Sequence, residues 1–332
     1  MEEKSVSKKK KVLMVIGAIL VCAIIYVIVI KTYKVKNREI DKVIFNSNEI
    51  ENEEIIETEK LYDESSFPKV DASLATQPLV DAIYKDFTGT SDENFNEDVL
   101  NYSNTHPGYV KLINDEVDLI VVTEPSEEEL KLAKEKGVEL EVIPVVKEGF
   151  VFYVNANNKV DSLTTEQIQK IYTGEITNWK EVGGEDEKIK AFQRPVNSGS
   201  QTGMLSLVMK DLKLMEAPKE NLIDTMSEII NLVSSYDNGK NAIGYSYYYY
   251  ATTMFETIDK TVASNIKLLG IDGIKPNNET IQNSTYPFNT AYYIVINKAD
   301  SEKDASRILA NQLLSKRGQS VAEKAGYVPV NK

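Results

Sequence analysis

The sequence predicts an α/β fold with mixed sheets, preceded by an N-terminal transmembrane helix, and three observations carry that expectation. β-rich runs such as VDLIVVT, LEVIPVV, FVFYVN, IKAF, NAIGYSYYYY, IKLLGI and AYYIVIN alternate with helical patterns such as PLVDAIYKDF and EEELKLAKEKG, the order of elements in an α/β chain. Residues 12–30, VLMVIGAILVCAIIYVIVI, hold no charge over 19 positions, long enough to cross a bilayer core as a helix. Some 265 residues follow position 67 without a repeat of solenoid period, enough for one large or two medium domains.

Taken in order, the chain opens with a basic stretch, residues 1–11, that carries Lys4 and Lys8 to Lys11. Lys31, Lys34, Lys36 and Arg38 stand behind the apolar run. So short an N-terminus favours the cytoplasmic side, with the bulk of the chain outside and a single pass through the cell membrane. Two rival readings concern the same segment. A cleaved signal would have a shorter apolar region ending in small residues, whereas this one ends in YVIVI. A lipid anchor would use the only cysteine, Cys22, although Val21 just before it is branched where such signals carry a small residue. All three readings place the large domain outside the cytoplasm. Residues 31–67, with EIENEEIIETEK at their centre, lack a sustained apolar period and read as an acidic stalk.

Charge separates the two parts. Residues 1–38 hold nine Lys/Arg against two Asp/Glu, which leaves 29 basic and 49 acidic residues beyond them, a net of −20. Nucleic acid is therefore excluded as a partner. An anionic ligand is not, because oriented amides and one arginine dominate at contact distance while far charges are screened within about 8 Å. One cysteine makes no internal disulfide, and the single histidine, His106, leaves little for a transition metal. No cofactor and no metal are expected.

The stretch IKAFQRPVNSGSQTGMLSLVMKDL, residues 189–212, carries the first chemistry. Ile189 to Phe192 alternate as a short strand; after the turn, Leu205, Val208, Met209 and Leu212 recur at helical spacing. Asn197 or Ser198 is placed to cap that helix. The N–H groups at a helix start lack partners and the dipole there is positive, so the place favours an anion. Arg194 adds a planar donor, Ser198 and Ser200 add hydroxyls, and Gly199 lets the backbone approach closely. Together they read as an oxyanion cradle.

Six segments in order, DASLATQPLVDAIYKDF, VDLIVVTEPSEEEL, IYTGEITNWKEVGG, RPVNSGSQTG, GKNAIGYSYYYY and YPFNTAYYIVINK, resemble the substrate-binding protein of bacterial phosphate ABC transporters over essentially all of residues 68–332. The resemblance implies a two-lobed type II periplasmic-binding-protein fold with the ligand in the cleft. Residues 68–150 would form the first part of lobe one, 151–289 lobe two and 290–332 the second part of lobe one. The hinge strands would lie near EGFVFYVN and FNTAYYIVIN.

The same resemblance nominates the site. RPVNSGSQT matches the family's arginine followed by a Ser-Gly-Ser or Ser-Gly-Thr loop, which carries over Arg194, Ser198, Gly199 and Ser200. DASLATQPL matches its opening loop and nominates Ser73 and Thr76, with the backbone amides of Leu74 and Ala75; many members have a hydroxyl where Leu74 stands. Thr105 sits where members supply a serine or threonine from a second helix start. VVTEPS departs from the pattern: members commonly have Ser-Asp, and this chain has Thr123 and Glu124. If Glu124 faces the ligand, it accepts the proton of hydrogen phosphate and opposes unprotonated sulfate. If it points away, that discrimination disappears.

Other residues read as structural: Trp179 as a packing anchor for the Gly183-Gly184 turn, the tyrosines of YSYYYY as strand residues that mostly pack, and His106 as a capping or surface residue. The implied function is non-enzymatic capture of inorganic phosphate and its delivery to the permease subunits of an ABC transporter, from the outer side of the membrane. Two alternatives stay open at this point: a membrane-tethered sensor that binds an oxyanion without transport, and a phosphate-ester hydrolase with Ser198 or Ser200 as nucleophile. The hydrolase needs a base within reach, and GSQTG is not the G-x-S-x-G elbow.

Overall fold

The computed structural model describes residues 60–96, 99–235 and 239–331. The expected membrane span at 12–30, Cys22, the basic N-terminus and most of the stalk lie outside them. Among the described residues no helix is long and apolar enough to cross a membrane.

Ten strands run through the described residues: β1 (Val70–Ala72), β2 (Leu119–Val122), β3 (Leu140–Asn155), β4 (Ser162–Leu163), β5 (Lys190–Ala191), β6 (Ala242–Tyr247), β7 (Ile266–Leu268), β8 (Gly270–Ile271), β9 (Asn289–Asn297) and β10 (Val328–Pro329). β1 and β2 are parallel, with Ala72 opposite Val121, and β2 pairs antiparallel with β9. β5 and β6 are also parallel, with Ala191 opposite Ile243, while β4 and β8 form a small separate pair.

β3 joins the two groups. Its residues 140–149 pair with β9, and at Phe150 the partner changes to β6, with β7 taken up from Tyr153. The run FVFYV is buried throughout, which is why it shows no alternation: both faces of the strand are covered. Phe150 and Phe152 pack edge-on against each other, and both lie against Tyr245. Just before the change of partner stands Glu148, buried, with Tyr249 N–H within 3.3 Å of both its oxygens and Gly149 N–H at 2.8 Å. Burial pushes its carboxyl up to about 8.

Helices follow the parallel strands. α1 (Gln77–Thr88) buries Leu79, Val80, Ile83, Tyr84 and Phe87, begins with Pro78 in its first turn and stops at Gly89, whose φ of 69° needs a glycine. α2 (Thr105–Ile113) precedes β2 and α3 (Glu127–Lys136) follows it. α3 starts with a reciprocal cap: Ser126 Oγ accepts from Glu129 N–H and Glu129 Oε2 accepts from Ser126 N–H. Further on are α4 (Thr165–Thr173), α5 (Gly199–Gly203), α6 (Met226–Ser234), α7 (Ala305–Leu314) and α8 (Lys316–Lys324).

Three expectations need correction. Part of the segment read as stalk is docked: Leu61 and Tyr62 N–H donate to Phe87 O, Tyr62 Oη donates to Gln312, and Phe67 sits edge-on to Tyr84. Its aromatic side chains bury against α1 although the surrounding sequence is acidic. The helix after Ser198 widens into π geometry at Met204–Met209, so Met204, Val208 and Met209 are buried while Leu205 and Leu212 are exposed. An i→i+5 turn shifts the buried face that 3.6-residue spacing predicts. The tyrosine run leaves the strand at Tyr247 and continues as helical turns; this change of course brings Tyr245, Tyr247, Tyr249 and Tyr250 all inside. Trp179 is buried, with Nε1 donating to Asn241 O at 2.8 Å.

Candidate functional site

Three segments that follow the carboxyl ends of parallel strands carry all the nominated residues but Thr105: 73–76 after β1, 123–124 after β2 and 194–200 after β5. In sheets of this kind, ligands bind outside that edge.

Arg194 is fixed at both ends. Its backbone N–H donates to Tyr245 Oη at 3.0 Å and Gln201 Oε1 at 3.1 Å, and Tyr245 itself donates to Gln201. Its Nε donates to Ser200 Oγ at 3.3 Å and its Nη1 to Ile223 O at 3.0 Å. Among the described residues no carboxylate lies within ion-pair distance of the guanidinium. Burial lowers its pKa, with Tyr245, Tyr153 and Asp224 acting in the other direction. It is a half-buried cation without a paired counter-charge among the described residues.

Ser198 is the N-cap of α5, its Oγ accepting Gln201 N–H at 3.3 Å. The N–H groups of Gly199 and Ser200 have no acceptor among the described residues. Gly199 lies against Thr123 and Thr105: a Cβ there would stand 2.5 Å from Thr123 Oγ1 and 2.7 Å from Thr105 Oγ1. A side chain there would push these hydroxyls aside. Its carbonyl accepts from Tyr247 Oη at 2.9 Å.

Thr105 opens α2. The loop ahead of it is held by buried Asp71, which accepts from Ser103 N–H at 2.9 Å, Ser103 Oγ at 2.5 Å and Lys111 Nζ at 2.7 Å. His106 Nδ1 lies 3.0 Å from Glu129 Oε1, and neither Ser198 nor Ser200 is bonded to it. Thr123 contributes a buried hydroxyl with no hydrogen-bond partner among the described residues, while its carbonyl accepts from Tyr109 Oη at 2.8 Å.

The 73–76 loop is organised differently. Thr76 Oγ1 donates to Val121 O at 2.6 Å, accepts Ser73 N–H at 3.1 Å and lies 3.0 Å from Ser73 Oγ. Thr76 is fully buried and Leu74 projects outward, 44% exposed. The N–H groups of Leu74 and Ala75 have no partner among the described residues. Glu124 points across the site, where its Oε1 accepts the Ser206 hydroxyl; Glu128 Oε2 accepts Asn197 Nδ2.

The structure thus brings Arg194, Ser198, Gly199 and Ser200 onto one turn and sets Gly199 against Thr105. Ser73, Leu74, Ala75 and Thr76 occupy the neighbouring strand end, and Glu124 stands toward Ser206. Sequence reasoning did not nominate Thr123, Gln201 or Tyr245. Gln201 and Tyr245 lie inside quoted motifs, but their role in fixing Arg194 depends on the packing of β6 against the turn. Thr123 was legible only as a substitute for the family's serine. The arrangement offers hydrogen-bond donors from several segments and a guanidinium without an ion-pair partner among the described residues, a set suited to holding an oxyanion.

Comparison with known proteins gives the family. The profile of the PBP superfamily domain matches residues 69–315. The phosphate-binding protein PstS of Bacillus subtilis (strain 168) is 30% identical over 182 residues, 55% of each chain. PstS of Borreliella burgdorferi is 26% identical over 55% of this chain and 63% of its own. For PstS of Staphylococcus saprophyticus the figures are 26% identity over 274 residues and 80% of each chain. The match thus spans less than two thirds of the first two relatives' lengths. Among solved structures, a candidate phosphate ABC transporter substrate-binding protein with bound phosphate from Clostridium perfringens is 23% identical, with a TM-score of 0.62 over 80% of this chain and all of that one. An ABC-type phosphate transport receptor from Vibrio cholerae is 22% identical, with a TM-score of 0.58 over 79% and 99%. These structures share the two-lobed mixed α/β fold.

Proposed function

Since this chain belongs to the PBP superfamily through a domain at residues 69–315, we propose that it is an extracytoplasmic solute-binding protein that captures inorganic phosphate and passes it to an ABC permease. The observation that carries the reading is Arg194: a half-buried guanidinium without a carboxylate, on a turn that also offers the free N–H groups of Gly199 and Ser200. An oxyanion supplies the counter-charge that the described residues do not. Relatives named for phosphate binding support that choice of anion.

In this reading lobe one comprises 68–150 and 290–332 and lobe two 151–289. The change of β3 partner at Phe150 supports that division. Lobe two contributes Arg194, Ser198, Gly199 and Ser200. Lobe one contributes Ser73, the amides of Leu74 and Ala75, Thr105 and Thr123, with Thr76 holding the loop in place. Glu124 is the candidate acceptor for the ligand's proton through the oxygen that Ser206 does not occupy. Charge-assisted hydrogen bonds of about 1.5–3 kcal/mol each make a micromolar constant, about −8 kcal/mol, attainable after the cost of closing the lobes. Closure is the form a permease would recognise, and the 12–30 segment would tether the domain to the membrane.

A hydrolytic reading lacks a base at either serine, since Ser198 caps α5, Ser200 accepts from Arg194 and His106 is bonded to Glu129. Equilibrium dialysis of the chain against labelled phosphate, with sulfate as competitor, tests the reading. Saturable retention that sulfate does not displace is expected, and no retention would refute it. Impaired growth of a deletion strain on limiting phosphate separates delivery from sensing.

A further inference from the structure

We infer that Glu124 serves as a latch between the two lobes, with Glu128 as a second tie, and that its length sets how long the closed form lasts. The inference rests on the phosphate-binding reading and concerns how that site shuts. Glu124 follows β2, yet its Oε1 accepts the hydroxyl of Ser206, on the π-helical turn beyond α5. Glu128, in the first turn of α3, accepts from the side-chain amide of Asn197, on the turn that leads into α5. Both acceptors come from the β2 side and both donors from the β5 side. Asn197 and Ser206 bracket Ser198–Ser200, so the ties flank the contact of Gly199 with Thr105 and Thr123.

Such bonds exist only while the two sides touch. They therefore add to the closed form and nothing to the open one, which is the condition for shifting that equilibrium. A glutamate reaches one methylene further than an aspartate, and the hydroxyl it reaches belongs to the opposite side. The carboxylate is thereby oriented by Ser206. Each tie is partly exposed and individually modest.

The test uses the full chain in detergent micelles, with Ser206→Ala, Glu124→Ala, Glu124→Gln and the double variant Glu124→Ala/Ser206→Ala. Phosphate dissociation is followed by stopped flow, sulfate by competition, and ligand-free amide exchange over residues 122–130 and 197–207 by mass spectrometry. Ser206→Ala and Glu124→Ala are each expected to speed phosphate release about three- to fivefold, and to raise exchange in both segments. The double variant should add little to either change. Glu124→Gln retains an oxygen that accepts from Ser206, so it should alter release less than Glu124→Ala, while its amide turned to the ligand no longer opposes sulfate and should admit it. Unchanged release and exchange in Ser206→Ala would overturn the latch, and additive effects in the double variant would also overturn it. Should the wild type bind no phosphate, the functional reading fails and exchange alone decides the latch: a coupled rise supports it, and unchanged exchange in Ser206→Ala refutes it.

Discussion

The loop after β1 and the turn after β5 occupy equivalent places, each at the carboxyl end of a strand in a parallel pair and each leading into a helix. Their polar groups are used in opposite ways. In 73–76 the hydroxyl of Thr76 serves the fold, tying the loop to Val121 of β2 and to Ser73. In 194–200 Tyr245 and Gln201 fix the backbone of Arg194, leaving its guanidinium without a carboxylate. A hydroxyl at a strand end is thus not evidence of a ligand contact until its own hydrogen is accounted for. Thr76 and Thr123 make the same point within one side: one hydroxyl is fully engaged, the other is buried without a partner among the described residues.

The largest effect that would sharpen this contrast is on binding. Arg194→Ala should weaken phosphate about 100-fold, from losing charge-assisted bonds worth about 3 kcal/mol, while stability falls by only about 1 kcal/mol, because the guanidinium gives up neutral hydrogen bonds to Ser200 and Ile223 but no ion pair. A calorimetric titration alongside a melting curve checks both halves, and equal affinity would break the contrast outright.

Next in size is a change at the strand that joins the two sides. Glu148, raised from 4.5 to about 8 by burial, keeps its proton in the folded chain at pH values where the unfolded chain has released it. Stability should therefore fall as the pH rises from about 4.5 to about 8 and level off above, with a slope of up to about 1.4 kcal/mol per pH unit. Glu148→Gln should flatten that profile and be the more stable form at pH 8, by a few kcal/mol at most. Urea melts across this range would show it, and parallel profiles for the two proteins would contradict it.

Thr76→Val should lower stability by about 1–2 kcal/mol, since Val121 O and Ser73 N–H lose a buried partner, with less effect on affinity than on folding. Thr123→Val should do the reverse. Removing a buried hydroxyl that has no partner should leave the melting temperature unchanged or slightly higher, while phosphate affinity falls about fivefold. If the two valines behave alike in both assays, the distinction between fold-serving and ligand-serving hydroxyls fails.

Much of this was legible in the sequence where a local rule applies. The cap at Ser198 followed from a serine ahead of a helical pattern, and FVFYVN and AYYIVIN announced the strands at the joint by β-branched and aromatic content. What stayed hidden depends on distant partners. Leu205 and Leu212 matched a helical face, yet the π turn at Met204–Met209 moved the buried face elsewhere. Tyr62 and Phe67 stand in an acidic stretch without a period, so their docking against α1 left no local trace. For Glu124, the sequence supplied a carboxylate but not its direction, which Ser206, 82 residues away, decides.

The central claim is that the Arg194 guanidinium takes its missing counter-charge from phosphate, and a crystal structure of residues 39–332 grown with phosphate tests it most directly. The account predicts phosphate oxygens within about 3.2 Å of the guanidinium and of the Gly199 or Ser200 N–H, with Thr123 Oγ1 no longer unpartnered. Phosphate bound elsewhere, or an Arg194 turned from it onto a carboxylate, would contradict it.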